Sequence, residues 1–273
     1  MNNTILITGT SSGLGRATAK HFHAQGWNVI ATMRTPEHET EFSQIERVLV
    51  TRLDVQDPSS IQSAVDAGLA KFGRIDVLIN NAGYGAYGPL EATPFEKIQR
   101  QFDVNVLGLL ATTQALLPHF RQNRKGTIVN ISSVGGRLTF PLGTLYHGTK
   151  FAVEGLSEAL HYELSPLGIQ VKIIEPGGIK TDFGGRSFDF SNDPQLPEYQ
   201  PFVEAVLDVL GPMMAAGSSP EHIAEIVYAA TTDGTDQLRY EAGEDAVQLL
   251  ASRRAADDAT FFAGIKAQLG LGA

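Results

Sequence analysis

Short apolar runs alternate with longer stretches of helical periodicity along most of this chain, and that alternation constrains its fold more than any other feature. The runs at residues 4–8, 28–32, 48–53, 77–80, 127–131 and 170–175 carry Val, Ile and Leu. They have the length and composition of strands covered on both faces. Helical patterns begin between them, near Gly13, Pro58, Pro94 and Leu145. Successive strand–helix–strand units join parallel strands through right-handed crossovers. The expected fold class is therefore α/β, with a doubly wound, mostly parallel sheet and helices on both faces. One domain spanning residues 1–273 accommodates the pattern, since no interdomain linker or internal repeat interrupts it.

Two regions depart from the rhythm. Residues 182–215 follow the sixth strand and are rich in Phe, Pro, Asp and Ser. Within them Ser191-Asn192-Asp193-Pro194-Gln195-Leu196-Pro197 is incompatible with regular structure, because each proline fixes φ and removes a donor. Such an irregular insertion reads as a lid over a ligand site. Beyond Pro220 the sequence predicts a helix, a short strand near residues 237–240, and a helical tail over about 242–270.

Composition excludes several classes of function. The net charge of −9, from 21 basic and 30 acidic residues, repels phosphodiester backbones, so nucleic acid is not an expected partner. No apolar run approaches the roughly 20 residues of a membrane span. A strand beginning near residue 4 leaves no room for a signal peptide. The chain has no cysteine, which removes disulfides and thiolate ligands and is compatible with the reducing cytoplasm, the expected location. The seven histidines show no H-E-x-x-H spacing, and no metal is expected.

The ends of the predicted strands carry the chemistry. After the first comes Thr8-Gly9-Thr10-Ser11-Ser12-Gly13-Leu14-Gly15, a glycine-rich turn leading into a helix. Such a turn lets backbone approach a ligand closely, and a helix N-terminus attracts phosphate. The second strand ends Ala31-Thr32-Met33-Arg34, with no acid to receive a ribose hydroxyl. Arg34, with Ser12, suits the 2′-phosphate of NADP(H), leaving NAD(H) as the less favoured alternative. Asp54 ends the third strand, where a carboxylate can accept from an adenine amino group. Asn80-Asn81-Ala82-Gly83 ends the fourth, with Gly83 leaving room for a ribose. Asn105 is unusual for an amide because it lies within an apolar stretch, where it needs partners.

Tyr146 and Lys150 are four residues apart and so share one helical face. A phenol, with an ordinary pKa of about 10, shuttles protons poorly near neutrality, and a neighbouring cation lowers that pKa. Ser133, thirteen residues before Tyr146, can hold the oxygen of a carbonyl or alcohol.

Together these motifs, with Pro176-Gly177-Gly178 and Thr181, resemble the short-chain dehydrogenase/reductases in order and spacing over roughly residues 4–182. Within that family the chain looks like NADP(H)-preferring members related to 17β-hydroxysteroid and retinol dehydrogenases. The resemblance implies a Rossmann fold and an enzyme exchanging hydride between nicotinamide and a carbonyl or alcohol carbon. It implies Tyr146 as acid/base, Ser133 as its oxygen-holding partner, Lys150 on the nicotinamide ribose, and Asn105 holding a relay water. Gly9, Ser11, Ser12, Gly13, Leu14 and Gly15 would line the pyrophosphate, and Asp54 the adenine. Asn81, Ala82 and Gly83 would lie along the adenosine ribose, and Pro176, Gly177, Ile179 and Thr181 along the nicotinamide. A homodimer or homotetramer is implied, through the helices of residues 94–121 and 145–164.

Aromatic and apolar residues after the fourth, fifth and sixth strands predict a hydrophobic substrate pocket, with Tyr84, Tyr87, Phe140, Leu142, Phe183 and Phe188 as its walls. His147 is expected to be structural. Two other functions fit parts of the pattern. An NADP(H)-binding sensor without turnover would have little reason to keep Ser133, Tyr146 and Lys150. A nucleotide-sugar epimerase would carry a larger C-terminal domain.

Overall fold

The structure, a computed structural model, describes residues 2–181 and 187–270, apart from the side chains of residues 213–215. Seven parallel strands form one sheet: β1 (Thr4–Ile7), β2 (Asn28–Met33), β3 (Val48–Arg52), β4 (Val77–Asn80), β6 (Gly126–Ile131), β7 (Ile169–Pro176) and β9 (Arg239–Ala242). Their order is β3-β2-β1-β4-β6-β7-β9. The central strands are apolar on both sides because each side has its own helical layer. Ile5, Ile7, Val29 and Val77 pack with Phe22, Ile223 and Val227. Leu6, Ile30, Leu78 and Ile128 pack with Ile61, Leu116 and Phe120.

Helix α1 (Gly13–Ala24) joins the neighbouring strands β1 and β2, and α2 (Pro58–Phe72) carries the chain from the edge strand β3 back past them to β4. The ends of α2 follow from local chemistry. Asp57 caps it by accepting from Ser59 and Ser60 amides, Pro58 opens it, and Gly73 closes it at φ +77°.

Several elements differ from the sequence reading. The helix expected over residues 94–121 is α3 (Phe95–Phe102) and α4 (Gly108–Asn123), separated by a π turn at Asp103–Leu107. That turn holds Asn105, the amide that looked out of place, and such turns insert one residue and redirect side chains. The insertion is irregular only in part, since Gln200–Ala215 forms a helix, α6, after α5 (Thr144–Leu164). Pro201 at its start and Pro212 within it obscured its periodicity. A two-stranded parallel sheet joins β5 (Gly85–Tyr87) to β8 (Phe188–Phe190). Helix α7 (Pro220–Thr232) packs on α1, and α8 (Glu244–Ala255) and α9 (Asp258–Gln268) close the described chain.

Candidate active site

From β1 the chain proceeds outward to β2 and β3, then returns to β4 on the other side of β1. The crevice at such a switch point, beyond the carboxyl ends of the strands, is where open α/β sheets bind ligands. A cavity of about 1250 Å³ opens there.

Its first wall is mostly backbone. Gly9 and Gly13 have φ of +73° and +56°, which side chains rarely adopt. A Cβ on Gly15 would collide with the Gly9 carbonyl and the Asn81 amide. The loop is braced from β4: the Thr8 hydroxyl accepts from the Asn81 and Ala82 amides at 3.0 Å each. The Asn81 side chain donates to the Thr8 and Gly9 carbonyls at 2.8 and 3.1 Å. Ser12 is the N-cap of α1, yet its hydroxyl makes no capping bond. Arg34 is exposed at the cavity wall and makes no ion pair among the described residues. Ser11, Leu14, Asp54 and Gly83 line this side, and Pro176, Gly177, Ile179 and Thr181 border it from the end of β7.

Ser133, Tyr146 and Lys150 meet at the cavity wall, the first from the end of β6 and the others from the first turns of α5. Ser133 Oγ accepts from the Gly135 amide at 3.0 Å and donates to the Pro176 carbonyl at 3.4 Å. Desolvation raises the Tyr146 pKa above its ordinary value, and hydrogen bonding with Ser133 opposes the rise. The expectation that Lys150 lowers this pKa is not met by the protein groups. Lys150 Nζ donates to the Ile131 carbonyl at 2.8 Å and stands 5.7 Å from the phenol ring centroid, so desolvation of the phenol wins. Burial in turn lowers the Lys150 pKa to about 8, with Glu154 opposing.

The second wall is built of side chains. Tyr87 stacks on Tyr146 at 5.4 Å and on Phe188 at 5.1 Å between ring centroids. Tyr84 and Phe140 also line the cavity. Leu142 does not. Its φ of +63° and its carbonyl bond with the Gly88 amide accompany packing of its side chain against Val203, Val206 and Leu269. Phe183 lies outside the described residues.

Asn105 stands behind the wall rather than in it. Its Oδ1 accepts from the Tyr84 amide at 3.1 Å, and its Nδ2 donates to the Tyr84 carbonyl at 2.9 Å and Thr149 Oγ1 at 3.1 Å. All of the side chain's visible bonding thus braces Tyr84 and α5. His147 is a strap: Nδ1 bonds the Gly135 carbonyl at 2.9 Å, and Nε2 accepts from the Phe140 amide at 3.0 Å. These bonds require the neutral ring, and burial lowers its pKa.

Sequence reasoning passed over several lining residues. Leu207 and Leu210 come from α6, whose helical spacing was the available signal. Lys97 pairs at 2.5 Å with Asp189, tying β8 to α3. Asp245, in the first turn of α8, accepts from the Gly178 amide at 2.7 Å. Nothing in its local sequence marks it, because its target lies 67 residues away. Among the described residues, no helix is long and apolar enough to cross a membrane, and no cluster of three or more His, Asp or Glu is arranged to hold a metal ion.

The family model for short chain dehydrogenases matches residues 3–191. The chain belongs to that family and is an oxidoreductase of its class. An uncharacterized oxidoreductase of Schizosaccharomyces pombe is 45% identical over 239 residues, covering 88% of this chain and 100% of the relative. Human 17-beta-hydroxysteroid dehydrogenase type 1 is 31% identical over 264 residues, covering 91% of this chain and 80% of the relative. A short-chain dehydrogenase from Streptomyces avermitilis superposes with a TM-score of 0.83 at 35% identity, covering 99% of this chain and 98% of its own. ElxO, solved with NADP bound, superposes with a TM-score of 0.73 at 29% identity, covering 88% and 95%.

Proposed function

We propose that this protein is an NADP(H)-dependent oxidoreductase interconverting a carbonyl and an alcohol on a bulky, hydrophobic small molecule. The observation that carries the reading is the meeting of Ser133, Tyr146 and Lys150 in one cavity between a glycine-loop wall and an aromatic wall.

The first wall suits a dinucleotide phosphate. Gly9 and Gly13 take positive φ and Gly15 packs too closely for a side chain, so this wall is backbone, with Ser11 and Leu14 beside it, at the N-terminus of α1 where anions are favoured. The uncapped Ser12 hydroxyl and the unpaired Arg34 suit a 2′-phosphate, and ElxO's NADP is in keeping with this. Asp54 is assigned to the adenine, and Asn81, Ala82 and Gly83 to its ribose. Pro176, Gly177, Ile179 and Thr181 are assigned to the nicotinamide. When bound, the nicotinamide supplies or accepts the hydride.

The residues of this chain handle the oxygen and its proton. Tyr146 gives its proton to the oxygen that becomes negative during reduction, and takes it back during oxidation. Ser133 orients that oxygen and strengthens its bond as charge develops. A phenol whose pKa is raised by desolvation is protonated near neutrality, the form reduction requires. Lys150 holds a positive charge beside the phenol and is assigned to the nicotinamide ribose. Asn105, behind Tyr84, is assigned to proton supply. The aromatic wall of Tyr84, Tyr87, Phe140 and Phe188 supports a hydrophobic substrate, as does the similarity to a steroid dehydrogenase.

A homodimer or homotetramer is part of this reading, supported by the exposed Phe95, Leu107 and Phe151 on α3, the π turn and α5. So is a cytoplasmic location, supported by the absence of cysteine. The test is loss of NADPH absorbance with a panel of steroid, retinoid and aryl carbonyl compounds. Turnover of at least one bulky substrate is expected. Tight NADPH binding with no turnover of any would point instead to a sensor.

A further inference from the structure

A buried charge cluster lies next to the catalytic side chains but outside the cavity wall. Glu154, 4% exposed, follows Lys150 by one turn of α5, and Glu175, 2% exposed, immediately precedes Pro176 on β7. Arg239 of β9 holds both: its Nε is 3.0 Å from Glu154 Oε2 and 3.6 Å from Glu175 Oε1, while its Nη2 is 2.6 Å from Glu158 Oε2. Arg137, after β6, pairs with Glu175 at 3.0 Å.

Two polar atoms in this region have no partner, Glu154 Oε1 and Ser132 Oγ. Ser132 and the Glu154 side chain flank Gly136 beside the backbone of α5 at Lys150. A Cβ built on Gly136 would lie 2.8 Å from Ser132 Oγ, 2.9 Å from Glu154 Cγ and 2.9 Å from the Lys150 carbonyl. Three carboxylates, Glu154, Glu158 and Glu175, thus face two guanidiniums, and Lys150 is the third cation. Tyr146, His147 and, one turn beyond Glu158, His161 are the other titratable groups along that side of α5.

We infer that Glu154 is a positioning residue that keeps the Lys150 ammonium charged, its carboxylate acting across one helical turn. Opposite charges within about 4–6 Å favour the charged form, most strongly where water is excluded. The direction agrees with the opposed effects on Lys150, where burial favours the amine and Glu154 the ammonium. Arg239 holds the Glu154 carboxylate in place, which couples the β7–β9 edge of the sheet to the catalytic helix.

The inference rests on Lys150 serving the reaction, but its test reads Lys150 directly. Trace acetylation of the full-length protein with acetic anhydride across neutral to alkaline pH, read by peptide mass spectrometry, gives the midpoint at which Lys150 becomes reactive. Glu154→Gln should lower that midpoint by about one pH unit. Glu154→Asp, which keeps the charge but withdraws it by one methylene, should fall between that variant and the wild type. The high-pH limb of kcat should move with the midpoint. An unchanged midpoint in folded Glu154→Gln overturns the inference, including when kcat falls. If circular dichroism shows that variant unfolded, Glu154→Asp decides alone: a lowered midpoint upholds the inference and an unchanged one overturns it.

Discussion

The two walls of the cavity are made from different parts of the polypeptide. The cofactor-side wall is backbone, set by the φ values of Gly9 and Gly13 and braced by Thr8 and Asn81. The opposite wall is side chains: the Tyr146–Tyr87–Phe188 stack, with leucines from α6. Backbone geometry tolerates little change, because a shift in one amide disturbs the rest of the loop. Aromatic walls change by single substitutions without moving the scaffold. The difference separates what a fold can share widely, a dinucleotide cradle, from what one chain can adjust, the shape offered to its substrate.

Substitutions can break this division. The largest effect should come where the walls meet. Tyr146→Phe should lower kcat by roughly 10²–10⁴-fold, as expected for loss of a general acid, while NADPH affinity by fluorescence titration stays near wild type. Retained turnover would remove Tyr146 from its role. Gly15→Ala strikes the backbone wall, and relieving its collision should cost about 1–3 kcal/mol in cofactor binding or stability, read by calorimetry and thermal melting. Near-normal NADPH affinity and melting temperature would show that the cradle is looser than its geometry indicates.

Arg34→Ala tests a side chain within the backbone wall. Loss of a charge-assisted contact of about 1.5–3 kcal/mol should weaken NADPH binding tenfold or more and leave NADH unchanged. Equal losses for both cofactors would argue against a 2′-phosphate contact. Phe188→Ala should raise KM for a bulky ketone about tenfold with the NADPH dissociation constant unaltered. A change in cofactor affinity instead would mean that the walls are not independent.

A last effect concerns pH and touches neither wall directly. Burial raises the Glu175 pKa from 4.5 to about 7. Between those values the native protein keeps a proton that the unfolded chain has released, so this group makes stability fall as pH rises through that window. Urea unfolding at its two ends should differ by about 2–3 kcal/mol, and Glu175→Gln should flatten the difference. An equal slope in the variant would assign the effect to other groups.

Much of the scaffold was legible because its signals are local. Six strands lie within one or two residues of their expected places, since each is a short apolar run ended by turn-forming residues. The glycine loop announced itself because its φ values are ones that glycine adopts readily and side chains rarely do. The pairing of Tyr146 with Lys150 followed from helical spacing alone. Legibility failed where distant contacts decide. Helix α6 was obscured by its prolines, and Leu142 turned into packing against α6 and Leu269 instead of the cavity.

Composition, periodicity and motif spacing by themselves determined a parallel α/β sheet, a dinucleotide loop, and a serine, tyrosine and lysine in register with it. Only the tertiary structure decided that Lys150 bonds the Ile131 carbonyl, that the phenol pKa rises, that Asp245 braces the loop after β7, and that Glu154 and Glu175 share Arg239. Desolvation and electrostatics depend on what surrounds a group in space, and neighbours such as Arg239 for Glu154 and Asp245 for Gly178 are tens of residues away along the chain.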